Sequence, residues 1–260
     1  MENHKRKAER LLLLSGLLGA LLITGALAYP QPPRETPNPQ GGRAENTDIV
    51  LPVRWGDLKG KMVEAGVIDK EKIGDVETLP ILTVLWALGL GTKNEILEQG
   101  PMSDPRYGSP ARFASTGGWT LARGDAMEHY SRHPFIVLTP EQQELVARVS
   151  KNIYRPCCAN PAHFPDCNHG MAMLGLLELL ASQDANEAEM YRIALEVNSA
   201  WFPDTYRAIA KYLESRGTAW ENADPKELLG YEFSSAAGYR QVVSELSSPD
   251  PKSAPGWECS

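Results

Sequence analysis

The sequence predicts an all-α protein, a single helical domain with long loops, preceded by an N-terminal hydrophobic signal or anchor helix and a proline-rich tether. Three observations carry that prediction. Apolar residues recur at helical spacing through most of residues 139–213. Helix-start chemistry stands ahead of several of these runs. No alternating apolar and polar run is long enough to form a convincing strand.

The first element is the leader, residues 1–28. Lys5, Arg6, Lys7 and Arg10 precede a run from Leu11 to Ala28 without a charge, and Ala26-Leu27-Ala28 offers a small-x-small cleavage site. The run is 18 residues long, which is also near the least that spans a bilayer as a helix. Cleaved signal and retained anchor therefore both fit. In either case the positive charges stay inside, which places the remainder on the periplasmic or extracellular face, with the membrane as a partner through residues 11–28. Residues 29–46, with Pro30, Pro32, Pro33, Pro37 and Pro39, read as a stiff linker. The domain is expected over 47–246, and 247–260 as a loose tail. The net charge of −7 is spread along the chain with no basic stripe beyond the leader, so nucleic acid is not an expected partner.

Within the domain, Trp55 to Val67 and Thr78 to Leu88 look helical, and Asn94 to Gln99 suits a short turn. Gly100 to Gly118 lacks periodicity and reads as a long surface loop. Thr139-Pro140 with Gln142 is a capping-box start for a helix whose stripe is Leu145, Val146, Val149 and Ile153, closed by Pro156. Met171 to Ala181 is apolar on every side except Glu178, the pattern of a buried central helix. Asn186 and Glu189 open the next helix, with Met190, Ile193, Ala194 and Val197 inward. Pro203-Asp204 opens another, with Tyr206, Ile209, Ala210 and Leu213 inward and Gly217 as its stop. Trp55, Trp86, Trp119 and Trp201 are expected as core anchors or pocket walls.

The stretch from Tyr154 to Met173 concentrates three of the four cysteines, two of the five histidines and two of the seven methionines. Its Cys/His loop, 155–170, ends where the central helix begins. There the unpaired amides and the helix dipole favour a thiolate at Cys167. One reading takes Cys157, Cys158, Cys167 and His169 as the ligands of a transition metal, zinc or copper, or of a cluster, for sensing, storage or delivery. Met171, Met173 and His163 add soft donors that suit copper. Adjacent cysteines diverge in an extended segment, which points to a two-metal or cluster arrangement, or to the use of only one of the pair. A second reading pairs Cys167 with Cys157 or Cys158 in a disulfide, with Cys259 taking the remaining partner; four cysteines allow three connectivities. A third reading is thiol exchange at Cys167. The order of cysteines, helix and then the Asp184-Ala185-Asn186-Glu187-Ala188-Glu189-Met190 turn is similar to that of periplasmic cytochrome-maturation thiol proteins across Cys157 to Tyr206, without their C-x-x-C pair. That resemblance implies exchange chemistry and carries no individual residue over.

Asp125, His129 and His133 form a second candidate set, since i, i+4, i+8 spacing aligns them if the stretch is helical, although Pro134 opposes helix at His133. Arg106, Arg112 and Arg123 border the long loop as candidate anion binders. The chain has no G-x-S-x-G, no glycine-rich phosphate loop and no C-x-x-C-H, so hydrolase, nucleotide-dependent and c-type cytochrome readings have no support.

Overall fold

Cys167 opens the most buried helix among the described residues, and the described fold is arranged around that helix. The computed structural model describes residues 49–247; the leader, the tether and the tail from residue 248, Cys259 among them, lie outside the described residues. The longer helices are α1 (Leu58–Ala65), α2 (Ile81–Gly91), α3 (Glu95–Gln99), α4 (Pro140–Ser150), α5 (Asn168–Ala181), α6 (Glu187–Trp201), α7 (Pro203–Ser215) and α8 (Ala236–Ser247). Single helical turns fill much of the rest. Among the described residues no strand forms, and one isolated bridge joins Thr92 to His133. No described helix is long and apolar enough to cross a membrane.

Local chemistry sets the helix ends. Thr139 caps α4 through its hydroxyl while Gln142 returns a bond to the Thr139 amide, the reciprocal box expected there. Asn186 accepts from the Glu189 amide at the start of α6. Pro203 stands in the first turn of α7. Other boundaries differ from the sequence expectation. α1 begins only at Leu58, after Gly56 at φ +51°, and stops at Gly66 in the left-handed conformation. α2 starts after Pro80, not at Thr78, and runs on to Gly91, where the chain turns extended to pair with His133. α4 ends at Ser150, so Ile153 is buried from the following turn and not from the helix. α8 had no counterpart in the sequence reading; it packs against α7.

α5 is buried from Gly170 through Ala181 and packs on α2, α4 and α6. Its closest neighbour is α2. A Cβ on Gly89 would collide with the Met171 carbonyl oxygen, and one on Gly175 with the Leu85 carbonyl oxygen. The two backbones thus touch, with glycine on both sides. Glu178 is the one charged residue of α5 and is fully buried; Asn94 Nδ2 donates to its Oε1 at 2.6 Å and its Oε2 has no partner. Burial pushes its pKa well above the usual 4.5, which favours the neutral acid in the folded protein.

The stretch from Gly100 to Gly118 is more ordered than expected. It folds into turns at Pro101–Ser103, Pro105–Tyr107 and Pro110–Arg112 and a helical turn at Ala114–Gly117, and it buries Met102, Ser115 and Thr116. Trp86 donates to the Ser115 carbonyl at 2.7 Å and meets Trp119 edge-on at 4.9 Å. Trp119 and Trp201 are buried, whereas Trp55 and Trp86 are half-buried against the core.

Three outcomes follow. Gly89→Ala and Gly175→Ala should each lose about 3 kcal/mol in urea unfolding, because backbone atoms must separate. Gly60→Ala, in α1 with nothing near its missing Cβ, should gain about 0.5–1 kcal/mol. The Glu178 carboxyl has a folded pKa above its unfolded value, so its contribution to stability is fully present below about pH 4.5 and is lost as pH rises from there. Glu178→Gln should therefore gain on the wild type by up to about 1.4 kcal/mol for each pH unit above that point, levelling off at the folded pKa. Parallel pH profiles of the two proteins would contradict this.

Candidate metal centre

Cys167 is the N-cap of α5: its sulfur accepts the Gly170 amide at 3.4 Å, and the residue itself is extended. Upstream, the chain leaves α4 and turns. The Cys158 amide donates to the Arg155 carbonyl at 3.2 Å, closing a turn that holds both vicinal cysteines. A turn rotates consecutive side chains onto one side, so the divergence expected of an extended pair does not arise. The Cys157 and Cys158 sulfurs lie 3.8 and 3.9 Å from that of Cys167, and all three lie within 4.8 Å of one another. All three thiols are free, so no disulfide joins them.

The loop is clamped from several directions. The Tyr154 amide donates to the Leu229 carbonyl, and Asn198 Nδ2 donates to the Tyr154 carbonyl. The Ala162 amide donates to Ile153, the Ser115 amide to Asp166, and the Ala236 amide at the start of α8 to Cys158. Phe164, Phe113 and Tyr107 pack as an aromatic triad that fastens the 100–118 segment to this loop.

Arg155 is the residue that sequence reading missed. It is completely buried beside the sulfurs. Its guanidinium donates to the Asn160 carbonyl at 2.9 Å, to Asp166 Oδ1 at 3.3 Å and to Cys167 Sγ at 3.2 Å. Asn160 Nδ2 in turn donates to Asp166 Oδ2 at 2.8 Å. A buried guanidinium is expensive unless paired, so this position belongs to an arginine only because anions converge on it. Gly170 makes room: its missing Cβ would stand 2.5 Å from an Arg155 nitrogen. The signal in the sequence was an arginine two residues ahead of the vicinal cysteines.

The electrostatics are asymmetric. The Cys167 thiol is held well below its ordinary value, first by hydrogen bonds from Cys157 and Cys158, then by the Arg155 charge and N–H. Cys157 is pushed up, first by its bonds to Cys158 and Cys167. For Cys158 the bond from Cys157 works downward but is outweighed by the bond to Cys167 and by desolvation, so it too is raised. Burial works against the Arg155 charge, yet the three sulfurs together raise its pKa. The thiolate is thus favoured at Cys167, beside the guanidinium, over its two neighbours.

The other expected donors are not grouped with the three sulfurs. His169, in the first turn of α5, places its ring 4.7 Å from that of Phe202 and 5.5 Å from that of Trp201, and burial holds its pKa down. Met171 and Met173 are fully buried in the core, and His163 Nδ1 engages the Ser150 hydroxyl at 3.1 Å. Asp125, His129 and His133 do not form one helical face. Asp125 caps a single 3₁₀ turn, Ala126–Glu128, and His133 lies in the bridge to Thr92. The two histidines instead bond each other, Nδ1 of His129 to Nε2 of His133 at 3.1 Å, while His129 Nε2 donates to the Arg123 carbonyl. Arg106 is tied to Asp104, and Arg123 donates to the Glu64 carbonyl. A cleft of about 840 Å³ lined by Asn94, Gln143 and His163 contains none of the cysteines. Among the described residues, the three cysteines are the one group of three or more His, Cys, Asp or Glu donors with metal-binding spacing. Compared with known proteins, the chain matches no family model, no curated protein and no solved structure.

Replacing Arg155 with methionine should move the pH midpoint of Cys167 alkylation upward by about one pH unit or more. The measurement is iodoacetamide labelling against pH, resolved by peptide mass, on protein whose circular dichroism is native. An unchanged midpoint would remove Arg155 from the account.

Proposed function

We propose that Cys157, Cys158 and Cys167 bind a single soft transition-metal ion, zinc or copper(I), and that the protein serves in sensing, storing or delivering that ion on the exported side of a membrane. The sulfur spacing carries the reading. A tetrahedral ion with metal–sulfur bonds of about 2.3 Å sets its sulfurs about 3.8 Å apart, and a trigonal one sets them about 4.0 Å apart. The two separations to Cys167, 3.8 and 3.9 Å, fall on those values. A cluster, in which each thiolate binds a different iron, wants its sulfurs farther apart, so one shared ion fits better. Three thiolates around one ion leave negative charge, and the Arg155 guanidinium is already in place to offset it. His169, two residues beyond Cys167, is the proposed fourth donor once its ring turns from Phe202 toward the sulfurs. The basic, apolar leader supports export and tethering.

Protein purified without oxygen should carry one metal ion per chain, and a chelator should free the thiols. Cys167→Ser should abolish binding, His169→Ala should weaken it, and Cys259→Ser should leave it unchanged. Metal-free protein whose thiols appear only after reductant would instead favour the thiol/disulfide reading.

A further inference from the structure

We infer that this centre is redox-gated: two-electron oxidation joins Cys167 to Cys157 as a disulfide and ejects the ion. The inference rests on the single-ion reading above. Cys157 is exposed, whereas Cys158 and Cys167 are half-buried, so a solvent-borne oxidant meets Cys157 first. Its sulfur stands 3.8 Å from that of Cys167, close enough to bond after a small rotation. The Cys158 sulfur lies 3.9 Å from that of Cys167 and also 3.7 Å from the Asn160 carbonyl oxygen. A Cys157–Cys158 bond would close a strained ring between neighbours, so any disulfide within this trio takes Cys167. Such a bond consumes two of the three sulfur donors. Cys158, with the proposed donor His169 as its only companion, leaves two ligands where the ion needs three or four, and release follows from that loss.

The oxidant is a hydroperoxide. In the loaded centre Cys157 is held as a metal-bound thiolate; that sulfur attacks the peroxide oxygen, the O–O bond breaks, and one hydroxide leaves, giving a sulfenic acid. The Cys167 thiolate then attacks that sulfur and expels a second hydroxide. Two thiolates have lost two electrons to one peroxide, which ends as two hydroxides, and the freed cation leaves with Cys158 still reduced. Because the resolving sulfur is so close, disulfide formation outruns further oxidation to sulfinate. A dithiol reverses the step by exchange.

The test uses the full chain carrying Cys259→Ser, loaded with zinc anaerobically and given one equivalent of hydrogen peroxide. Released zinc is read with a chromogenic chelator, thiols by titration and linkage by peptide mass. The expected result is one zinc released, three thiols falling to one, a Cys157–Cys167 peptide and full rebinding after dithiothreitol. Adding Cys158→Ser should leave that same disulfide able to form. Zinc retained while peroxide is consumed, sulfinate without disulfide, or a bond that needs Cys158 would each overturn the switch. Reduced protein that never takes up zinc would overturn the single-ion reading itself, a different result from zinc that binds and stays.

Discussion

Backbone contact between α2 and α5 is the constraint on which the rest depends. A helix as apolar as α5 must be enclosed, but enclosure alone does not fix its position along its axis. Gly89 against the Met171 carbonyl and Gly175 against the Leu85 carbonyl do so, because main-chain atoms cannot yield as side chains can. With α5 fixed, its first turn is fixed, and there the same device recurs on a smaller scale. Gly170 leaves the space into which Arg155 folds, and Cys167 caps the helix next to it. The position of a guanidinium and three sulfurs thus traces back to three glycines.

Charge balance explains why those groups tolerate one another. A thiolate beside a guanidinium inside the fold is favoured, and the repulsion that two more thiolates would add opposes further ionisation. The thiol pKa values split accordingly, Cys167 down and its neighbours up. A cation bound here would replace thiol protons with one central charge, coupling ion uptake to proton release and weakening binding in acid. Asp166, held above its usual range first by burial and then by the charge on Cys167, absorbs part of the same balance.

Much of the fold was readable along the chain. Capping residues and periodic stripes placed α4 to α7, and the absence of polar residues marked α5 as central. The helix starts at Leu58 and Ile81 depart from the apolar pattern because glycine and proline geometry overrides it. α8 escaped notice, and the 100–118 segment looked loose because its order comes from tertiary bonds to Trp86 and Phe164, which no local pattern encodes. At the site, residue chemistry named the three cysteines. Spacing could not show that a turn would converge the vicinal pair, nor that Arg155 would be buried beside them. The Asp125–His133 alignment failed for the reverse reason: it assumed a helix that the bridge to Thr92 replaces.

The central claim is that one ion sits among three sulfurs. X-ray absorption at the metal edge of the loaded, reduced protein tests it most directly. The account predicts a first shell dominated by sulfur, about three atoms at about 2.3 Å, with no second metal nearby. A shell of nitrogen and oxygen alone, or a clear metal–metal distance, would contradict it.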